Sequence, residues 1–143
     1  MQRRSVLIGA VVFVFLSVPG WAAGQAGGAD DLSRLRANTV EWYTRGAPAR
    51  GTVQGYMRAL RDDGSWPDVD YADRTRGGWR TYRHLTRTLA MAQAYKKPGH
   101  PLAGDASLRA AVIKALAHWT QKDYVNPNWW YPQIGVPMTL SLI

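Results

Sequence analysis

The sequence predicts an all-α fold, on three observations. Four stretches place apolar residues three and four positions apart, as one face of a helix requires. The segments between them carry helix caps and stops. No segment alternates polar and apolar residues as a half-buried strand would.

Taken in order, a Gly/Ala stretch that reads as flexible precedes residues 32 to 45, where Leu32, Leu35, Thr39, Trp42 and Tyr43 fall at helical spacing and predict the first helix. Thr52 is expected to cap the second, with Val53, Tyr56, Met57 and Leu60 on one face and Gly64 at its end. Residues 65 to 75 read as a loop. A third helix is expected from about Arg76 to Tyr95, with Trp79, Tyr82, Leu85 and Leu89 as its stripe, and Pro98-Gly99-His100-Pro101 stops it. The fourth begins with Asp105 as N-cap and reaches about Lys122, burying Leu108, Val112, Ala115, Leu116 and Trp119. Pro137 suits the first residue of a fifth. Loops of several residues make successive helices antiparallel hairpins. The apolar end Met138 to Ile143 carries no stop signal, so a fragment ending inside an element is expected.

Composition bounds the function. Arg3 and Arg4, an apolar run from Ser5 to Val18, then Pro19, Gly20 and small residues to Ala26 follow the order of a secretory signal, with cleavage expected near residues 24 to 26. The run is shorter than the roughly 20 residues that cross a bilayer, so no membrane association is expected after cleavage. The paired arginines also suit twin-arginine export, and the route stays open between the two. The expected location is therefore secreted or periplasmic, with residues 27–143 forming the mature part. With 0 cysteines, neither disulfides nor thiol catalysis are available. The net charge of +8 stays positive once Arg3 and Arg4 are removed. In an exported chain rich in tryptophan, such a surface favours acidic polysaccharide over nucleic acid. A monomer needing no cofactor is expected.

The run Asn126-Pro127-Asn128-Trp129-Trp130-Tyr131-Pro132-Gln133-Ile134-Gly135-Val136-Pro137 gathers three adjacent rings between prolines. Its prolines and glycine are expected to exclude a regular helix there. Adjacent tryptophans in such a loop can point to different sides, one anchored and one presented to a cleft, which suits carbohydrate. Core packing of both rings is the competing reading.

Arg76, Arg80, Arg83 and Arg87 are spaced to share one face of the expected third helix. A solvated face explains that spacing; so does a basic stripe whose guanidinium groups track a polyanion, with Arg80 and Arg83 as candidate binding residues. Asp62, Asp63, Asp68, Asp70 and Asp73 lack the glycine and glutamate of a calcium loop, since those places counted from Asp68 hold Asp73 and Trp79, and they read as turn residues. No metal site is expected. His84, His100 and His118 stand without catalytic companions and read as structural histidines.

The string Asn128-Trp129-Trp130 followed by Ile134-Gly135-Val136-Pro137 resembles the signature of polysaccharide lyase family 8, which holds hyaluronate, chondroitin AC and xanthan lyases. The stretch from Asp63-Gly64-Ser65-Trp66 to Asp70-Tyr71, then Gly78-Trp79 and Arg83-His84-Leu85, is similar to the segment upstream of it in that family. The resemblance implies the first helical hairpins of an incomplete (α/α) toroid, truncated here. It implies that Trp129 and Trp130 stack on sugar rings and that Asn128 makes a polar contact to substrate. It also implies β-elimination at a uronic acid, performed by an asparagine, a histidine and a tyrosine from helices after the double tryptophan. No catalytic residue is therefore assigned; these groups are expected downstream of residue 143, and the 143 residues alone are expected to be inactive. Gln133 stands where family members often have glutamate, which puts any acidic role there in doubt. The alternatives are a non-catalytic binding module and a fragment of a helical-barrel glycoside hydrolase. The latter needs two acidic catalysts, and Glu41 is the only glutamate in the chain.

Overall fold

The structure, a computed structural model, describes residues 23–143. The expected export signal lies, up to residue 22, outside the described residues. Every regular element among the described residues is helical, in the order α1 (Ala23–Thr44), α2 (Arg50–Ala59), a 3-10 turn Arg80–Tyr82, α3 (Arg83–Lys96), α4 (Ala106–Lys122), a π turn Tyr131–Gly135 and α5 (Val136–Ser141). The chain divides into two compact units, Met1–Arg34 and Leu35–Ile143. In the first, Arg34 pairs with Asp30 one helical turn earlier at 2.7 Å, between exposed side chains.

The first helix corrects one expectation. It begins at Ala23, so the Gly/Ala stretch is helical rather than flexible; alanine has the highest helix propensity, and glycine's penalty of about 1 kcal/mol is tolerated inside a propagating helix. The residues whose spacing predicted the helix are exposed: Leu32 is 69% exposed, Leu35 63% and Trp42 59%. Helical spacing reports the element but not whether a partner covers it. In the second unit, Gln93 Nε2 donates to Tyr43 O at 2.8 Å and ties the end of α1 to α3.

The second helix starts ahead of Thr52, whose N–H already bonds Ala49 O at 3.0 Å; Ala49 is the N-cap and no side chain caps the helix. It ends at Ala59, before Gly64. Gly64 serves a different purpose, because its φ is +82° and a Cβ there would lie 2.4 Å from Lys114 O of α4. The loop can lie against α4 only because that residue has no side chain.

The third helix starts at Arg83, not at Arg76. Gly78 takes φ +67°, which no right-handed helix accommodates, and the chain re-enters through the 3-10 turn. The fourth matches expectation closely: Asp105 accepts from Leu108 N–H at 2.8 Å, and Leu108, Val112, Ala115 and Trp119 are buried. His84, at the start of α3, donates to Ala115 O in the second half of α4 at 2.9 Å, so α3 and α4 form the expected antiparallel hairpin. Its core includes Val53, Trp66, Met91, Leu108 and Ala115, with a second cluster of Trp79, Leu85 and Trp119 nearer the C-terminal turn.

The proline-rich run departs most from expectation, since its backbone is helical from Trp130 through both later prolines. Pro132 falls in the first turn, where a missing N–H costs nothing. Ahead of Pro137 the helix widens, and Val136 N–H bonds Tyr131 O five residues back. A π turn thus lets one helix carry a residue that would break an ordinary α-helix.

Candidate functional site

The two loops that flank this C-terminal helix are held by side chains with short reach. Asp73 is buried, and its carboxylate accepts from Thr75 N–H at 2.9 Å, from the Thr75 hydroxyl at 2.6 Å and from Arg80 N–H at 2.6 Å. Those bonds hold it ionised down to about pH 2. Trp79 Nε1 donates to Asp73 O at 3.0 Å, so the indole closes the same loop from inside. Residues 73–80 then bind the second loop: Asn126 Nδ2 donates to Thr75 O at 3.0 Å, Asn128 Nδ2 to Arg76 O at 2.9 Å, and Trp79 N–H to the Tyr131 hydroxyl at 3.1 Å.

Asn128 works at the start of the helix. Its Oδ1 accepts from Trp130 N–H at 3.1 Å, the N-capping geometry that asparagine favours. One side-chain N–H is spent on Arg76 O; the other has no partner among the described residues. Asn128 is half-buried, so that N–H can be reached from solvent.

The two tryptophans differ. Trp130 is 38% exposed and lies on Gly135, where a Cβ would come within 2.5 Å of its ring; it also meets Tyr131 edge-on at 5.2 Å. Trp129 is 60% exposed, and no ring among the described residues packs against it. One ring is anchored and its neighbour is presented to solvent. The structure reaches this arrangement with a helix start, where the sequence suggested a loop.

The basic residues do not form the expected single face. Arg76 lies in the loop and Arg80 in the 3-10 turn, so only Arg83 and Arg87 belong to α3. Arg87 forms a two-bond pair with Asp68, at 2.7 and 2.5 Å, and lies over the rings of Tyr56 and Trp66 at 5.4 and 5.7 Å. The pair draws the Asp68 carboxyl down to about 2. Arg87 is thus committed inside the chain, while Arg80 and Arg83 are exposed.

Every histidine has both ring nitrogens engaged. Tyr71 O–H faces His84 Nδ1 at 2.9 Å and His84 Nε2–H donates to Ala115 O, which fixes the neutral tautomer. Burial pushes His84 down to about 4. His118 donates through Nδ1–H to Asp63 O at 2.8 Å and faces the Tyr124 hydroxyl at 3.0 Å, and His100 bridges Pro48 O and Leu102 N–H at 3.0 and 3.1 Å. None has a nitrogen left for a substrate proton. The aspartates act as turn residues: Asp63, Asp70 and Asp73 each accept from the N–H two positions on, at 2.9, 3.0 and 2.9 Å.

Sequence reasoning missed Asp73, Asn126 and Tyr131 as braces of the site. A signal for the first was present, since Asp73-Arg74-Thr75 repeats the Asp63-Gly64-Ser65 pattern, and both aspartates take the backbone and hydroxyl two residues on.

Residues 43–143 match the sequence profile described as "Polysaccharide lyase family 8, N terminal alpha-helical domain". The chain belongs to polysaccharide lyase family 8. It is 26% identical over 144 residues to a xanthan lyase from Bacillus sp. (strain GL1), across 85% of this chain and 15% of that protein. It is also similar in structure to a chondroitinase AC lyase solved as enzyme-oligosaccharide complexes, with a TM-score of 0.64 and 28% identity over 72% of this chain and 16% of that one. The chain therefore spans about a sixth of the length of these relatives. The all-helical architecture is that of the opening hairpins of the family's (α/α) toroid, as the resemblance implied.

Proposed function

We propose that this lyase-family chain is the substrate-holding, N-terminal part of an exported enzyme that cleaves uronic-acid polysaccharides of hyaluronan, chondroitin or xanthan type. Residues 1–26 act as its export signal, and residues 27–143 form the start of the toroid domain and work as a monomer, secreted or periplasmic. The observation that carries the reading is the pair Trp129 and Trp130, one presented and one seated on Gly135, at a helix start capped by Asn128. An indole face takes a sugar ring by apolar contact and excludes water from it. The free N–H of Asn128 is placed beside it to hydrogen-bond the substrate, and the exposed Arg80 and Arg83 attract the polyanion.

The reaction is β-elimination. A base removes the C5 proton of the uronic acid, the electrons of that bond form the C4–C5 double bond, and the C4–O bond breaks as an acid protonates the departing oxygen. Carboxylate neutralisation is needed to make the C5 proton removable. What supports placing these groups elsewhere is that each of the three histidines has both ring nitrogens engaged and that burial raises Tyr71 to about 12. The catalytic groups are assigned to sequence beyond residue 143, and the 143-residue chain alone is inactive. Expression of the whole open reading frame, followed by ultraviolet absorbance of unsaturated uronate products on hyaluronan, chondroitin and xanthan, tests this. Products from at least one polymer support the lyase; binding without products from any would favour the second reading, a non-catalytic acidic-polysaccharide module, which the saturated histidines also suit. Family membership leaves the glycoside hydrolase alternative without support.

A further inference from the structure

Gln133 sits one helical turn after Trp129. Gln133 N–H bonds Trp129 O at 3.1 Å, an α-type turn that closes just before the helix widens, and both side chains are exposed. Residues so spaced have Cβ atoms about 5–6 Å apart on one face. Two side chains so placed can touch the same ligand. The Gln133 amide forms no hydrogen bond among the described residues, whereas Asn126 and Asn128 each engage both the oxygen and the nitrogen of the amide with backbone groups, leaving Asn128 one N–H. It offers two donors and an acceptor with no charge. A side chain of that kind, beside a presented ring, is suited to the uncharged rim of a sugar: hydroxyls that both give and take hydrogen bonds, or an acetamido group.

We infer that Gln133 is a specificity residue of the sugar site, hydrogen-bonding the uncharged edge of the ring that stacks on Trp129. This rests on the reading of Trp129 as the stacking platform. On this account a carboxylate at the same place would keep acceptors, lose both donors and repel a polyanion. The site thus separates two tasks: Trp129 and Gln133 read a ring and its neutral substituents, and the exposed Arg80 and Arg83 respond to charge.

The test is titration of the 143-residue chain, by intrinsic tryptophan fluorescence, with a hyaluronan hexasaccharide and with the same oligosaccharide after its carboxylates are reduced to alcohols. Gln133→Ala is expected to weaken both probes by the same factor, about three- to tenfold for one lost hydrogen bond. Gln133→Glu is expected to weaken the native probe further, and only that extra loss should shrink as salt is added. Unchanged melting temperatures for both variants would show that the fold is intact. Wild-type affinity in Gln133→Ala, or a loss seen with the native probe alone, overturns the inference while Trp129→Ala still abolishes binding. No loss in Trp129→Ala would instead remove the platform reading, and this inference with it.

Discussion

The interior between α3 and α4 and the C-terminal helix start are both built around tyrosine, tryptophan and asparagine or aspartate, yet they are opposite in how those groups are used. In the interior, Trp66 Nε1, His84 and His118 each reach a backbone carbonyl, the Tyr71 hydroxyl takes Trp66 N–H at 2.9 Å, and no buried side-chain polar atom among the described residues lacks a partner. At the helix start, Trp129, the Gln133 amide and one N–H of Asn128 stay unspent. A saturated group rigidifies, because leaving it unpaired when buried costs about 1–3 kcal/mol. A group held in place but left with bonding capacity is available to a ligand. The interior therefore supplies rigidity, and the edge that it braces keeps the bonding capacity that the proposed recognition would use.

The largest effect that would sharpen this contrast is expected on the interior side. Gly64→Ala forces a side chain into Lys114 O at a positive φ, and a loss of roughly 3 kcal/mol or more is expected in the denaturant midpoint. A midpoint near wild type would mean that the loop does not need its close approach to α4.

His84→Leu should cost about 2 kcal/mol, since it strips the partner from Ala115 O in a closed interior. The same histidine sets a pH dependence. Its folded pKa of about 4 lies below the ordinary 6.5, so between those values the unfolded chain holds a proton that the folded chain lacks. Stability should be full above about pH 6.5 and fall as the pH drops toward 4. Asp68 and Asp73, lowered from 3.8 to about 2, should add a further loss below pH 3.8. Thermal melts of wild type and His84→Leu across this range separate the two contributions, because only the upper part of the slope should vanish in the variant.

On the edge side, Gly135→Ala should displace the Trp130 ring, costing about 1 kcal/mol of stability and a larger share of oligosaccharide affinity. Retained affinity would show that Trp130 is packing alone. The smallest effect separates two arginines that the sequence grouped together. Arg87→Ala should lower stability by about 1 kcal/mol through the lost Asp68 pair and the Tyr56 and Trp66 rings, and Arg83→Ala by less than about 0.5. Equal changes in the two melts would mean that Arg87 is no more committed than Arg83.

Where local chemistry decides the outcome, the chain was legible. Asp105 and the face Leu108, Val112, Ala115 and Trp119 predicted α4 to within a residue, because cap and periodicity agree there. For Trp129 and Trp130 the residue types left a presented pair and core packing both open, and the run was expected to be a loop. What the sequence did not reveal depends on relations across the chain. Gly78 breaks the expected third helix and so dissolves the arginine stripe, Arg87 finds Asp68, and the cover of Leu32, Leu35 and Trp42 is no property of their spacing. The helix through Pro132 and Pro137 was hidden because a π turn tolerates what an α-helix rejects.

The central claim is that Trp129 is a ligand-binding ring rather than part of the fold, and one comparison tests it most directly. Wild type and Trp129→Ala are titrated with a hyaluronan hexasaccharide at low and high salt, with melting temperatures measured alongside. The account predicts that Trp129→Ala melts within about 0.5 kcal/mol of wild type, as an exposed side chain should, and loses most of its affinity even at high salt, where charge attraction is screened. Equal affinity for the two proteins at high salt, or a variant that fails to fold, would contradict it.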